Sequence, residues 1–281
     1  MKDYLRQILS GVRDQTLARC LVREYLQVRL LQSLQDRGVF VTWAFQGGTA
    51  LRLLYSMPRF SEDLDFALIE PGAADDFRDI VANARKVFEG EGYDVGVRIS
   101  DRRAVKFAFV SFRGLPFELG LSAHESETLS VKVKVDSSPP AGAHVVSTIV
   151  RRHVILNLRH RDKASLFAGK LHAILARRYT KGRDIYDLLW YLSDRTWPPP
   201  NIELLNNALQ QTRWQGPQVT PESWRQLVSA RLETIPWRQV VEDVRPFLER
   251  AEDVALLTRE NLLALLRQWF LKTMILMGPT E

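Results

Sequence analysis

The sequence has almost no cysteine, and this excludes two kinds of structural support. Cys20 is the only cysteine in the 281 residues, so the chain has no internal disulfide and no zinc site built from several thiolates. The five histidines are scattered without the spacing of metal ligands. The sequence also has no internal repeat and no low-complexity tract, which argues against a repeat protein or a disordered linker.

The chain also lacks an uninterrupted apolar run of the length that crosses a membrane. Residues 1–15 carry charges among their apolar positions and have no secretory signal core. Residues 254–277 are apolar, but four charged side chains interrupt them, so they predict an amphipathic helix. These four are Arg259, Glu260, Arg267 and Lys272. We therefore expect a cytoplasmic protein.

The composition is that of a globular protein with a basic balance. Apolar residues make up 46% of the chain and charged residues 26%, which is ordinary for a folded domain. A length of 281 residues allows one large domain or two modest ones. The formal net charge of +6 and the pI of about 9.5 favour an anionic partner such as nucleic acid or a nucleotide.

The apolar periodicity predicts a mixed α/β first half followed by an all-α second half. Predicted strands cover residues 39–45, 63–69, 94–99, 105–112 and 128–136. Predicted helices cover residues 14–36, 74–91, 163–179, 184–193, 201–212, 221–233, 237–250 and 254–276. We place the boundary between the halves near residues 145–160 and expect an α/β domain over 1–155 and a helical domain over 156–281.

The most informative segment is Gly47-Gly48-Thr49, which follows a predicted buried strand and opens a short helix. Glycine lets backbone N–H groups approach phosphate oxygens, and a helix N terminus favours anions. Asp63 and Asp65 follow at i and i+2 of a strand, where both carboxylates face the same side and can hold Mg²⁺. An acid-x-acid triplet alone occurs by chance. Together with the glycine turn, it predicts phosphoryl or nucleotidyl transfer.

Several neighbouring residues have two readings each. Arg59 and Ser61 stand where they could contact phosphates, or they could form a capped turn with a solvated arginine. Asp136 ends the alternating strand 128–136 and is either a third metal-binding carboxylate or a turn aspartate. Lys132 and Lys134 project from the same strand face, which predicts a site more basic than a metal-binding site formed by carboxylates alone.

A second informative segment is basic. From residue 159 to 183 the chain has eight Lys or Arg residues and one acid, Asp162. Lys170, Arg177 and Lys181 would form nearly one stripe if the helix were continuous. A charge run of this kind is either a solvated helix face or an electropositive wall for a triphosphate and an RNA backbone.

At these segments the sequence resembles the AbiEii/AbiGii-type toxin family of bacterial nucleotidyltransferases, which is related to the DNA polymerase β superfamily. The matching stretches are FQGGTALRLLY, RFSEDLDFAL, VKVKVDSSPPAGA and SLFAGKLHAILARRYTKGRDIYDLLWYL. They occur in the family's order and span roughly residues 40–195. The resemblance implies an α+β fold, with a polymerase β-like nucleotidyltransferase core (a mixed sheet with flanking helices) followed by an all-α C-terminal domain that completes the active site.

The resemblance also implies roles for individual residues. Asp63 and Asp65 would be catalytic metal ligands, and the phosphate-binding turn would be formed by Gly47 and Gly48. Asp136 would be the third ligand for two Mg²⁺ ions, although Lys134 stands where the family often has an acid.

Other nucleotide-binding roles fall on the turn and on the basic segment. Thr49 and Ser61 would add nucleotide contacts beside the glycines. Lys170 would hold the nucleotide phosphates, and Asp184 would be an essential acid. Arg183 and Asp187 would support them.

In function, the resemblance implies an Mg²⁺-dependent toxin of a toxin–antitoxin or phage-defence system that transfers a nucleotide from an NTP to an acceptor, with tRNA expected. The implied partner is an antitoxin, which in this family often carries a winged-helix domain. Two alternatives stay open. One is a related enzyme that modifies a small molecule or a protein side chain. The other is a catalytically degenerate NTP-binding module, which Lys134 suggests.

Overall fold

The chain forms two compact units. The structure, a computed structural model, describes residues 2–71 and 76–277, with side chains up to residue 269. The first unit comprises residues 1–139 and 145–161, and the second comprises residues 140–144 and 162–281. Residues 74 and 75, where the sequence predicts the start of a helix, lie outside the described residues.

The first unit is a seven-stranded mixed sheet with helices packed on it. The strands run in the order β3-β4-β5-β2-β1-β7-β6. They are β1 (Trp43–Gln46), β2 (Asp63–Leu68), β3 (Val95–Ser100), β4 (Val105–Arg113), β5 (Thr128–Asp136), β6 (Val145–Arg152) and β7 (Val154–Arg161). The helices are α1 (Lys2–Leu9), α2 (Gln15–Asp36), α3 (Gly47–Tyr55), α4 (Phe77–Gly90) and α5 (Leu115–Glu118).

Strand β2 lies at the centre of this sheet. It pairs antiparallel with β1, which precedes it in the chain, and parallel with β5, which comes much later. Leu64 and Phe66 are buried, and Phe66 packs against Trp43 with ring centroids 5.4 Å apart. Because side chains alternate along a strand, Asp63 and Asp65 lie together on the opposite face.

Helices α2 and α3 are tied together by a buried ion pair. Glu24 of α2 is 2% exposed and accepts a bond from Arg52 of α3. A second guanidinium, that of Arg152 on β6, donates to the other carboxylate oxygen at 2.6 Å. Removing one partner from a buried pair leaves an uncompensated charge, so this network fixes α3 against α2 and β6.

The second unit is helical. It contains α6 (Lys163–Ala176), α7 (Gly182–Ser193), α8 (Ile202–Gln211), α9 (Trp224–Glu233), α10 (Trp237–Val244) and α11 (Arg259–Met277). Asp162 caps α6 by accepting the Ser165 N–H at 2.8 Å. The core of the unit is aromatic: Phe167 stacks on Tyr191 with ring centroids 4.5 Å apart and meets Trp224 edge-on at 5.5 Å.

The expected α+β organisation, a mixed sheet followed by helices, is confirmed, but several predicted elements are wrong. The predicted boundary region 145–160 forms the hairpin β6–β7. Its alternation is obscured because Ile149 and Ile155 are exposed, at 73% and 66%, while His160 and Arg161 are buried.

Other corrections concern element ends. Val39–Val41 is a 3-10 turn and β1 begins at Trp43, because β2 ends opposite Trp43 and offers residues 39–41 no partner. The predicted helix 237–250 stops at Val244, just before Pro246, whose ring is incompatible with a helix interior. The last helix begins at Arg259, after a 3-10 segment.

None of the helices in the described part of the chain combines the length and the apolar character needed to cross a bilayer.

Candidate active site

The glycine turn between β1 and α3 is packed directly against polar side chains. Gly47 has φ +81°, and a Cβ atom there would lie 2.6 Å from Oδ2 of Asp65. At Gly48, a Cβ would lie 2.8 Å from Nη2 of Arg59 and 3.0 Å from Oγ of Ser61. Gly47 therefore requires glycine for its left-handed conformation and its contact, and a side chain at position 48 would displace the Arg59 guanidinium or the Ser61 hydroxyl.

Two further residues support this turn from within the fold. Thr49 is 1% exposed, and its hydroxyl donates to the Asp63 carbonyl at 2.5 Å, which fixes α3 to β2. Arg59 is 2% exposed, and its Nη1 donates to the Phe60 carbonyl at 2.9 Å. The reading of Arg59 as a solvated arginine is therefore wrong, since its guanidinium is buried against the turn.

The two aspartates of β2 share a lysine from β5. In the parallel register Asp63 lies beside Lys132, and Asp65 beside Lys134. The Lys134 ammonium forms an ion pair with Asp63 and another with Asp65, at 3.2 Å from Oδ1 of Asp65. Burial alone would lower the pKa of Lys134, but the two carboxylates outweigh it, and the pKa is raised above its ordinary value.

Asp136 lies on the same sheet face but further along β5. It pairs with Ala67 and not with an aspartate, and its Oδ1 accepts the Ser138 N–H at 3.0 Å. Burial raises the pKa of the Asp136 carboxyl, although the Ser138 bond and the Arg161 charge act in the opposite direction. Among the described side chains, no group of three or more His, Cys, Asp or Glu residues is placed to hold a metal ion.

The donor set at β2 fits one Mg²⁺ ion better than two. Mg²⁺ commonly binds through one or two carboxylates, with substrate phosphates and water completing its octahedron. Asp63 and Asp65 can supply the protein ligands, provided that the Lys134 ammonium moves away from them. A bound cation would take over the charge compensation that the ammonium provides here.

A second polar cluster lies in the helical unit. Lys170 on α6 is 3.1 Å from Oδ1 of Asp184 and 2.6 Å from Oδ2 of Asp187, two acids that lie one turn apart on α7. The side chain of Lys170 is 12% exposed, and that of Asp187 is fully buried. Arg177 forms an ion pair with Asp184. The structure thus brings together Lys170, Asp184 and Asp187, three of the four residues of this segment that the resemblance assigns to nucleotide binding, and that role stays a prediction.

The predicted basic stripe is wrong. Helix α6 ends at Ala176, and Arg177 is in an extended conformation, so Arg177 and Lys181 do not continue the helix. The interruption allows α7 to pack beside α6 and brings Arg177 to Asp184. Gly182 begins α7 in contact with α10, since a Cβ at Gly182 would overlap the Val240 carbonyl oxygen.

Arg183 points to another part of the helical unit. Its guanidinium lies 4.1 Å from the centroid of the Phe247 ring, and its backbone N–H donates to Asp243 at 3.3 Å.

Sequence reasoning missed the direct Lys134 contact with both aspartates. The signal was present, because the alternation along 128–136 puts Lys134 on the polar face, but only strand pairing shows that Asp65 is its neighbour.

Comparison with known proteins identifies the family of this chain. The model of the AbiEii family, described as the nucleotidyl transferase AbiEii toxin of type IV toxin–antitoxin systems, matches residues 29–263. No curated protein matches the sequence.

Three solved structures share the fold at low sequence identity. A protein from H. pylori described as a candidate nucleotidyltransferase has a TM-score of 0.58 and 19% identity, over 93% of this chain and 98% of its own. JHP933 from Helicobacter pylori has a TM-score of 0.56 and 20% identity, over 90% and 92%. MenT4, a nucleotidyltransferase toxin from Mycobacterium tuberculosis H37Rv, has a TM-score of 0.53 and 18% identity, over 96% and 88%. The family match covers most of the sequence, so the chain belongs to the AbiEii family of nucleotidyltransferase toxins.

Proposed function

We propose that this protein transfers a nucleotide from an NTP to an RNA acceptor, with tRNA as the expected substrate, and that Mg²⁺ is required. The contact between Gly47 and Asp65 carries the proposal, because it holds a side-chain-free turn directly against a carboxylate. A triphosphate needs backbone donors, and the cation that accompanies it needs carboxylates. This arrangement offers both within one contact distance.

Different residues of the first unit would bind the triphosphate and the metal ion. The N–H groups at the start of α3 would bind the triphosphate, and Asp63 and Asp65 would hold Mg²⁺. When bound, the cation would neutralise the charge on the phosphates and on the leaving pyrophosphate. In the reaction an acceptor hydroxyl oxygen bonds to the α-phosphorus, the bond to the β-phosphate breaks, and the hydroxyl proton passes to water.

In the helical unit we assign phosphate binding to Lys170. Its ammonium is held by Asp184 and Asp187, and its side chain is 12% exposed, so the ammonium is restrained before any ligand arrives. A preorganised cation contributes more to charge stabilisation than a mobile one, since little reorganisation is needed during the reaction. The two aspartates would act as positioning residues.

The partners proposed here follow from charge and family. A net charge of +6 suits a polyanionic acceptor, and association should weaken steeply as salt is added. Membership in a type IV toxin–antitoxin family implies a cognate antitoxin. We extend this to a winged-helix antitoxin and a role in phage defence.

A second candidate function rests on Lys134. Its ammonium pairs with both aspartates, and a protein that kept this arrangement with nucleotide bound would have no cation site. Such a protein would bind NTP without turnover. Modification of a small molecule or of a protein side chain is the remaining alternative, and the assay below separates all three.

The test is transfer of label to RNA. Purified protein is incubated with Mg²⁺, each α-³²P-labelled NTP in turn and total bacterial RNA. We expect label in a tRNA-sized band, lost in Asp63→Asn/Asp65→Asn and retained in the matched control Asp94→Asn, an exposed acid paired with Arg113. Label on protein would move the acceptor to a side chain. NTP binding with no transfer by any variant would favour the non-catalytic module.

A further inference from the structure

The sheet face that carries Asp63 and Asp65 also carries two phenylalanines. In β4 the buried side chains are Ala108, Val110 and Phe112, and Phe112 packs against Phe88 of α4. Phe107 and Phe109 alternate with these residues, so they point to the opposite face, and both are partly exposed. Their rings meet edge-on with centroids 5.8 Å apart.

Cations surround these two rings. The Lys132 ammonium lies 4.4 Å from the Phe107 centroid and 5.1 Å from the Phe109 centroid, and the Arg98 guanidinium lies 4.9 Å from Phe109. Arg113 lies on the same face, since a Cβ at Gly96 would lie 2.7 Å from its Nη2, and its charge is paired with Asp94 at 3.4 Å. Strands β3 and β4 contain no acidic residue, and β5 contains only its terminal aspartate.

Register aligns the rings with the acidic strand. Phe109 pairs with Lys132, which lies beside Asp63. In the next row Phe107 pairs with Lys134, which lies beside Asp65. Adjacent strands are about 4.8 Å apart, so each phenylalanine stands roughly 10 Å from its aspartate, about the reach of one or two nucleotides.

The same spacing of aromatic residues serves RNA binding on other sheets. The segment FAFVSF, residues 107–112, matches the aromatic part of the RNP1 pattern of RNA-recognition motifs, in which alternate rings on an open sheet stack unpaired bases. The fold here differs from that of an RNA-recognition motif, and the two share only the placement of alternate aromatic rings on one face of a sheet. Base–aromatic stacking combined with Lys and Arg contacts to phosphate is the usual means of binding single strands.

We propose that Phe107 and Phe109 form a stacking platform for unpaired nucleotides of a polynucleotide, with Lys132 and Arg98 facing its phosphates. In calling this polynucleotide the acceptor, the proposal rests on the proposed function. Binding itself does not depend on catalysis. The platform would present the end of the strand to the two aspartates and would give the protein a preference for single-stranded over duplex substrates.

The experiment measures binding without NTP or Mg²⁺. A fluorescein-labelled single-stranded RNA decamer of mixed sequence is titrated with wild-type protein and followed by fluorescence anisotropy. Phe107→Leu/Phe109→Leu keeps apolar bulk but removes the rings, and it should weaken binding by at least about tenfold, because stacking contributes about 1–3 kcal/mol per base. Phe107→Tyr/Phe109→Tyr keeps the rings and should bind like wild type. Phe117→Leu, a 42% exposed phenylalanine in α5, is the matched control.

Further measurements keep the result interpretable. Thermal unfolding checks that the leucine variant is folded, and Lys132→Gln, which leaves both rings in place, should reduce the salt slope of binding by about one. Single-stranded DNA and duplex RNA decamers are titrated as well, and they show whether the protein distinguishes RNA from DNA and single strands from duplexes. Tight binding of the duplex, or equal affinity of the leucine and wild-type proteins, would overturn the platform. Loss of NTP affinity in the leucine variant with RNA binding intact would also overturn it, because the rings would then hold the base of the NTP.

Failure of this proposal can be told apart from failure of the proposed function. Asp63→Asn/Asp65→Asn should still bind the decamer, since neither aspartate belongs to the platform. If RNA binding depends on the rings but no NTP yields a labelled product, the platform stands and the transferase assignment fails. If label is transferred equally well by the leucine and wild-type proteins, the platform fails and the transferase assignment stands.

Discussion

Gly47 and Asp65 are in such close contact that a Cβ atom on the glycine would lie 2.6 Å from the carboxylate oxygen Oδ2. Strand β2 and the start of α3 can approach this closely only because residue 47 has no side chain. The glycine turn and the acidic strand are therefore parts of one packing arrangement, and a change in either one should be felt by the other.

Gly47→Ala should destabilise the protein by about 2–4 kcal/mol, because it adds left-handed backbone strain of about 1–2 kcal/mol to an overpacked contact. The matched control is Gly92→Ala, since Gly92 has φ +82° and a Cβ added there would meet nothing within 4 Å. Gly92→Ala should lose only the stability that the left-handed backbone strain costs, about 1–2 kcal/mol. Urea unfolding of both variants measures the difference, and equal losses would show that the Asp65 contact contributes nothing.

Gly182→Ala should destabilise the helical unit by about 1–3 kcal/mol or more, since its Cβ would overlap the Val240 carbonyl oxygen, which no rotamer change can relieve. In contrast, Gly169→Ala, in the middle of α6 with nothing within 4 Å, should stabilise the protein by up to about 1 kcal/mol. Thermal unfolding compares the two. A neutral Gly182→Ala would mean that α7 and α10 are not held at this distance.

Lys170→Met should cost about 3–5 kcal/mol, because it removes the ammonium that lies 2.6 Å from the fully buried carboxylate of Asp187. Arg177→Met should cost about 1 kcal/mol or less, since the Arg177 side chain is 45% exposed. Chemical denaturation gives both values. If the arginine variant lost as much as the lysine variant, Asp184 and not Asp187 would be the acid that depends on its partner.

Lys134→Met should strengthen binding of Mg²⁺ or Mn²⁺, because it removes the cation that competes for Asp63 and Asp65. A ligand that binds only the folded state raises its stability according to concentration and affinity, so adding metal should raise the melting temperature of the variant more than that of wild type. Lys132→Met, whose ammonium lies over Phe107, is the control. An unchanged metal response in Lys134→Met would separate the lysine from the cation site.

The raised pKa of Asp136 predicts the sign of a pH effect on stability. Because the folded protein holds this proton more tightly than the unfolded chain does, the contribution is complete below the ordinary pKa near 3.8 and is lost as pH rises through the folded value. Relative to Asp136→Asn, wild type should therefore lose stability as pH rises above about 3.8 and then level off. Urea unfolding across this range is the measurement, and a relative gain on raising pH would contradict the shift.

The sequence was sufficient for features that local chemistry decides. The strand containing Asp63 and Asp65, the glycine turn before it and the α/β-then-helical order all follow from alternation and glycine placement. The hairpin β6–β7 was not predictable in this way, because exposed Ile149 and Ile155 and buried His160 invert the pattern on which the prediction depends.

The candidate site likewise has some features that the sequence predicted and others that it did not. The nucleotide-binding roles of Lys170, Asp184 and Asp187 come from the family resemblance and stay predictions, whereas the end of α6 at Ala176 did not follow from helix periodicity. The break depends on tertiary pairing of α6 with α7, which propensity does not encode. The lysine between the aspartates likewise depends on which strand lies beside β2, a long-range choice that no local window contains.

The order of strands in the sheet has a consequence for synthesis. Strand β2 leaves the ribosome before its partner β5, which ends at residue 136, and before β7, which pairs with β1 and ends at residue 161. Pairings between distant segments form slowly because the intervening chain must first be closed into a loop. A nascent chain therefore carries both aspartates long before it has Lys134 to neutralise them. Until translation passes β7 it also exposes an open edge at β1, so a ribosome stalled between those points would hold an incomplete and inactive protein.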